Sequence, residues 1–118
     1  MGAHRVAETL ARTGGLAVPN ARRRLYETTQ FVLQCCQSLE SIRPGGVGFK
    51  ASVRVRFLHA QVRRRIMRLV EARPGYYDVA AHGIPINDVD SIATIIGFSA
   101  SVVFLALPRQ GLFPTKQE

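Results

Sequence analysis

Residues 54–70 read RVRFLHAQVRRRIMRLV and include six of the fourteen arginines in the chain. The apolar residues of this segment recur at intervals of three and four, which is the spacing of one face of an α-helix. These residues are Val55, Leu58, Val62, Ile66 and Leu69. The pattern predicts an amphipathic helix that packs this face against the rest of the protein.

His59 lies within the apolar face of this predicted helix. It is about 40° from Val55 around the helix axis, so its ring is expected to point into the protein. Arg56 and Arg63 flank the same face, where a cation needs a partner. Three interpretations of His59 remain open: a buried histidine bonded to a neighbouring helix, a bystander to an anion site formed by the two arginines, and a metal or haem ligand.

Three blocks follow one another along the chain: Pro44-Gly45-Gly46-Val47-Gly48, then Arg56-x-x-His59-x-x-x-Arg63-Arg64, then Gly83-Ile84-Pro85-Ile86-Asn87. Together they resemble the latex clearing protein (rubber oxygenase) family and its ER-bound relatives that cut prenyl chains. The resemblance implies an all-α, globin-like haem-binding oxygenase domain. Because the family's catalytic unit is longer, residues 1–111 would form part of such a domain, and residues 112–118 are expected to be a disordered tail.

The same resemblance implies roles for the residues of the second block. His59 corresponds to the proximal ligand of a b-type haem, so haem b is the expected cofactor and His59 the expected metal ligand. With His59 as a ligand, Arg56 and Arg63 would orient it through a shared carboxylate or meet an anionic edge of the cofactor.

Arg24 and Thr28 are four residues apart on a second predicted amphipathic helix, from Ala21 to about Leu39. From the residues alone, they are a surface arginine and a threonine bonded to its own backbone. By resemblance they correspond to the distal pair on the oxygen side of the haem, where a guanidinium and a hydroxyl can donate hydrogen bonds to oxygen. Glu8 corresponds to an upstream pocket glutamate that acts as a base.

The function implied by the resemblance is oxidative cleavage of isoprenoid double bonds by molecular oxygen, with a hydrophobic isoprenoid as substrate. A different class of function is also compatible with the sequence. A non-catalytic basic helical module would bind acidic lipid or a protein partner through exposed arginines. The arginines expected to do this are Arg22, Arg23, Arg64, Arg65 and Arg68.

The formal charge of +8 and the pI of about 10.8 favour an anionic partner or cofactor. No nucleic-acid recognition motif accompanies this charge, so a nucleic-acid partner is not expected. The N-terminus lacks the basic and then apolar layout of a signal peptide, which favours an intracellular location, cytoplasmic or associated with the ER.

Residues Ser91 to Leu107 carry no charge. The run is slightly shorter than the roughly twenty apolar residues that span a bilayer, so a buried central helix is favoured over a transmembrane one. Membrane association is accordingly not favoured.

Asn20 and Asn87 are both predicted to cap the helices that follow them. The adjacent Cys35 and Cys36 are expected to be buried on a helix.

Overall fold

A computed structural model describes residues 2–15 and 17–113, and every regular element in those ranges is helical. The predicted all-α class is therefore confirmed. The α-helices are α1 Gly2–Arg12, α2 Val18–Cys36, α3 Leu39–Ile42, α4 Val47–Ala72, α5 Val79–His82, α6 Asp88–Phe98 and α7 Leu107–Arg109. A π-helical segment, Val102–Ala106, precedes α7.

Residues 3–86 form one compact unit, and a second unit begins at residue 87. Most of the predicted tail, residues 114–118, lies outside the described residues.

The two long helices begin before the predicted positions, and α2 ends at Cys36, short of the predicted Leu39. Helix α4 begins at Val47, before the predicted segment, and α2 begins at Val18 with Pro19 in its first turn, where proline needs no amide hydrogen. The predicted cap at Asn20 is therefore wrong. The side-chain amide of Asn20 instead donates to the backbone carbonyl of Gly14 at 3.1 Å. The predicted cap at Asn87 is confirmed, because its side-chain oxygen accepts from the amide of Asp90 at 2.9 Å.

Helices α2 and α4 pack against each other as a helical hairpin around Gly48. A β-carbon added to this buried glycine would lie 2.8 Å from the carbonyl oxygen of Gln34 and 3.0 Å from the α-carbon of Cys35. Beside this contact, the thiol of Cys35 lies 3.7 Å from the hydroxyl of Ser52. Cys35 is half-buried and Cys36 is exposed, so the predicted burial is wrong for Cys36.

A buried hydroxyl joins the end of α2 to the start of α4. Ser41 in α3 donates to the carbonyl of Gln34 and accepts from the amide of Gly48 at 3.1 Å. That amide lies in the first turn of α4 and has no partner within its own helix. The Ser41 side chain is 5% exposed, so these backbone groups have little access to water.

We expect Ser41→Ala to destabilise the hairpin by roughly 1–3 kcal/mol, because it leaves buried backbone groups without partners. Thermal unfolding followed by circular dichroism would measure the change. The matched control is Ser99→Ala, since Ser99 is exposed and bonds only the carbonyl of Ile95 on its own helix. Equal melting temperatures for the two variants would contradict the assigned role of Ser41.

The core of the first unit is small. Ile66 is 1% exposed and Tyr77 is 3% exposed, and Pro85 is also fully buried. Three of the predicted apolar residues of α4, Val55, Val62 and Leu69, are half-buried, but Leu58 is exposed. Helix α1 is attached by Tyr76, whose hydroxyl donates to the carbonyl of Arg12 at 2.7 Å.

The second unit contains the uncharged run and exposes most of its apolar side chains. Ile95 is 66% exposed and Phe104 is 74% exposed. The predicted buried central helix is therefore wrong: the described elements of this unit follow one another along the chain and provide no second layer to cover them. No single helix among the described residues is long and apolar enough to cross a membrane, although α6 and Val102–Arg109, bent by 41°, satisfy the length and composition together.

Candidate functional site

The packing of α2 on α4 brings two of the predicted site residues face to face. The helices run in opposite directions from their contact at Cys35 and Gly48. Arg24 precedes Cys35 by eleven residues, and His59 follows Gly48 by eleven residues. At 1.5 Å per residue both are about 16 Å from the contact, so Arg24 of α2 lies opposite His59 of α4.

His59 is exposed, so the prediction that its ring points into the protein is wrong. Arg24 and Thr28, on the facing side of α2, are polar and exposed, so they do not cover the ring with an apolar layer. Enough protein nevertheless surrounds the ring to remove part of the hydration of its charged form. That burial is the largest cause that lowers the pKa of His59 below its usual 6.5, and the positive charges of Arg24 and Arg63 lower it further.

The guanidinium of Arg24 lies against Gly15, in the turn between α1 and α2. A side chain at the buried Gly15 would overlap the guanidinium of Arg24, so the absence of a side chain there makes room for it. The hydroxyl of Thr28, one turn further along α2, has no hydrogen-bond partner among the described residues. The neighbouring Thr29, by contrast, donates to the carbonyl of Leu25 at 2.9 Å. A guanidinium and an unengaged hydroxyl therefore occupy the α4-facing side of α2.

Arg63 joins two of the blocks that carry the family resemblance. Its guanidinium donates to the carbonyl of Ile86 at 3.2 Å. Ile86 has a φ of 56°, which is uncommon for a β-branched residue, and it follows the fully buried Pro85. The Arg63 cation thus has the backbone carbonyl of Ile86 as its partner. Arg56 is exposed, and its charge does not contribute to the pKa shift of His59.

Glu8 belongs to a different cluster. It accepts a hydrogen bond from Nε of Arg12 at 2.8 Å, and this bond is the main cause that lowers its pKa. The nearby histidines are His4 and His82, whose rings stack with centroids 5.3 Å apart. A carboxylate with a lowered pKa is a weak base, so this arrangement does not favour the predicted role of Glu8. No local sequence pattern predicts the contact between the two histidines, because it joins residues far apart in the chain.

The donor set around His59 limits the kind of metal group it can hold. No group of three histidine, cysteine, aspartate or glutamate side chains among the described residues is arranged to hold a metal ion. One neutral imidazole suits a metal that brings its own equatorial ligands, as iron porphyrin does. Arg24 and Arg63 suit a group with anionic substituents. The residues present therefore fit a haem.

A surface groove of about 740 Å³ runs along α2 on the side opposite Arg24 and Thr28. Its lining includes Tyr26, Thr29 and Leu33, which follow one another at helical spacing. The groove is open to solvent and is separate from the residues around His59.

A family model described as "ER-bound oxygenase mpaB/B'/Rubber oxygenase, catalytic domain" matches residues 2–118 of the chain. The matched range contains all three resemblance blocks and all the candidate site residues. No curated protein and no solved structure matches the chain.

Proposed function

Since the chain belongs to the family of ER-bound mpaB/B' oxygenases and rubber oxygenase catalytic domains, we propose that it binds b-type haem through His59 and cleaves isoprenoid double bonds with molecular oxygen. The observation that carries the proposal is the placement of Arg24 opposite His59. Two helices distant in sequence thereby bring a potential metal ligand and a strong hydrogen-bond donor to one place.

His59 would hold the iron because its imidazole stays neutral at physiological pH, and only a neutral ring nitrogen can bind a metal. Arg63 would bind a carboxylate edge of the cofactor. One of its nitrogens already donates to Ile86, which fixes the side chain and leaves other N–H groups available. Arg56, exposed on the same helix, is proposed as a second cation for that edge.

The haem, when bound, supplies the electron transfer that activates oxygen. The chain's own contribution would be a pair of hydrogen-bond donors, the Arg24 guanidinium and the Thr28 hydroxyl, on the side of α2 that faces α4. In the overall reaction one carbon–carbon double bond is broken and each of its carbons receives one oxygen atom of O2. The products are two carbonyl groups, so the stoichiometry needs no external reductant.

The test is to incubate the haem-reconstituted chain with a polyisoprene oligomer in air and detect new carbonyl products with a hydrazine reagent. We expect Arg24→Gln to lower turnover by about tenfold while haem stays bound, because a charge-assisted hydrogen bond is lost. The matched control is Arg22→Gln, which removes the same charge two residues away on an exposed side chain.

Thr28→Val and Thr29→Val form a second matched pair, since only the hydroxyl of Thr29 is occupied by its own helix. Turnover should fall in Thr28→Val and stay close to wild type in Thr29→Val. The absence of carbonyl products from the haem-loaded wild-type chain would overturn the proposed reaction.

A further inference from the structure

The outward side of α4 presents a continuous cationic face. It is opposite the buried Ile66 and contains only exposed side chains. Its members are Lys50, Arg54, Phe57, Gln61, Arg64, Arg65 and Arg68. Among the described residues none of these five cations takes part in an ion pair, unlike Arg12, Arg23 and Arg43. We call this set the α4 basic face.

We propose that the α4 basic face binds the surface of a membrane that contains anionic phospholipid. Helix α4 has 26 residues and is therefore about 39 Å long, which lets its cations meet several headgroups at once. Guanidinium groups match phosphate oxygens in geometry, and each cation near an anionic leaflet adds to the attraction. The charges complement such a surface, and the one acidic side chain of α4, the exposed Glu71, forms no ion pair with them among the described residues.

Phe57 lies at the centre of the α4 basic face and is 68% exposed. A large aromatic ring in water among cations is unfavourable, but it becomes favourable when the ring enters the boundary between headgroups and acyl chains. Cations around an exposed aromatic residue are the features that hold peripheral helices on bilayers. The face therefore supplies both the electrostatic and the apolar component of binding.

The second unit gives an independent reason to favour a lipid partner. From Ser91 to Pro108 it carries no charge, and its large apolar side chains are mostly exposed. An apolar surface of this kind is stabilised by an apolar environment.

The experiment uses the full chain without added haem in a vesicle sedimentation assay. One set of vesicles is phosphatidylcholine, and the other is phosphatidylcholine mixed with phosphatidylserine. Binding is expected only to the mixed vesicles and should weaken as salt rises. Arg64→Gln combined with Arg68→Gln should weaken binding by about tenfold or more.

The matched control is Arg22→Gln combined with Arg43→Gln, which changes the net charge equally outside the α4 basic face and should bind nearly as wild type. Phe57→Gln should also weaken binding, with an unchanged helical signal by circular dichroism. Three results would each overturn the proposal: equal binding to both vesicle sets, equal losses in the two double variants, or binding to a duplex oligonucleotide without binding to anionic vesicles. Haem uptake is measured separately on the same variants, so failure of the oxygenase proposal would be distinguishable.

Discussion

His59→Ala is expected to abolish the Soret band that the wild-type chain acquires on reconstitution with haem. Outer-shell partners of a metal ligand alone contribute about 10- to 100-fold in affinity, so loss of the ligand is expected to cost more than about 100-fold. Haem titration followed by absorbance measures the effect. His4→Ala is the control, because His4 is also exposed but stacks on His82 in the separate cluster.

The pH dependence gives the same prediction a second readout. His59 must be neutral to bind iron, and its folded-state pKa lies below 6.5. Haem affinity should therefore be level above pH 6.5 and fall at lower pH, as the imidazole takes up a proton. Folding stability should depend on pH in the same direction. As the pH falls, His59 takes up its proton in the unfolded chain before it does so in the folded chain. The contribution of neutral His59 to stability is therefore present above pH 6.5 and is lost as the pH falls toward the lowered pKa of the folded state.

In the His59→Ala variant, this step in unfolding stability should disappear. Added free imidazole should restore part of the absorbance band by occupying the missing ligand position. Equal haem uptake by the wild type and the His59→Ala variant would exclude His59 as the ligand.

Gly48→Val is expected to produce the largest loss of stability, at or above the 1–3 kcal/mol that overpacking typically costs. A new side chain would meet the Ser41 hydroxyl and two backbone atoms of α2, the Gln34 carbonyl oxygen and the Cys35 α-carbon. The two backbone atoms can move only if α2 itself shifts. Gly48→Ala should have a smaller effect of the same sign. Denaturant unfolding followed by circular dichroism would rank the variants.

Gly97→Ala is the control for these variants. Gly97 is also helical, but no atom lies within 4 Å of the position its β-carbon would take. Alanine there should be neutral or stabilising by up to about 1 kcal/mol, because it lowers the flexibility of the unfolded chain. A similar stabilisation by Gly48→Ala would show that α2 and α4 do not approach closely at Gly48.

Local sequence patterns predicted the helices well. The three-and-four spacing identified α4, and the Asn87 cap followed from a contact within one helical turn. The start of α2 was missed because Pro19 fits the first turn and lets the helix begin before Asn20. Exposure was predicted less well. Helical periodicity shows which residues share a side of α4, but it does not show that Leu58 and His59 are left uncovered.

The candidate site required information that no single segment contains. The pairing of Arg63 with the Ile86 carbonyl joins residues 23 positions apart, whereas the sequence predicts a carboxylate or a cofactor as the partner of Arg63. The opposition of Arg24 and His59 depends on where α2 and α4 touch, which only the close approach at Gly48 defines. Resemblance to the family supplied the residue identities, but the structure supplied the register that relates them.

That register has a consequence for how the chain tolerates insertions. The arms from Cys35 back to Arg24 and from Gly48 forward to His59 are equal in length. One extra residue inside either arm would rotate everything beyond it by about 100° and carry the guanidinium or the imidazole off the shared side. Homologous oxygenases should therefore keep both arms at constant length.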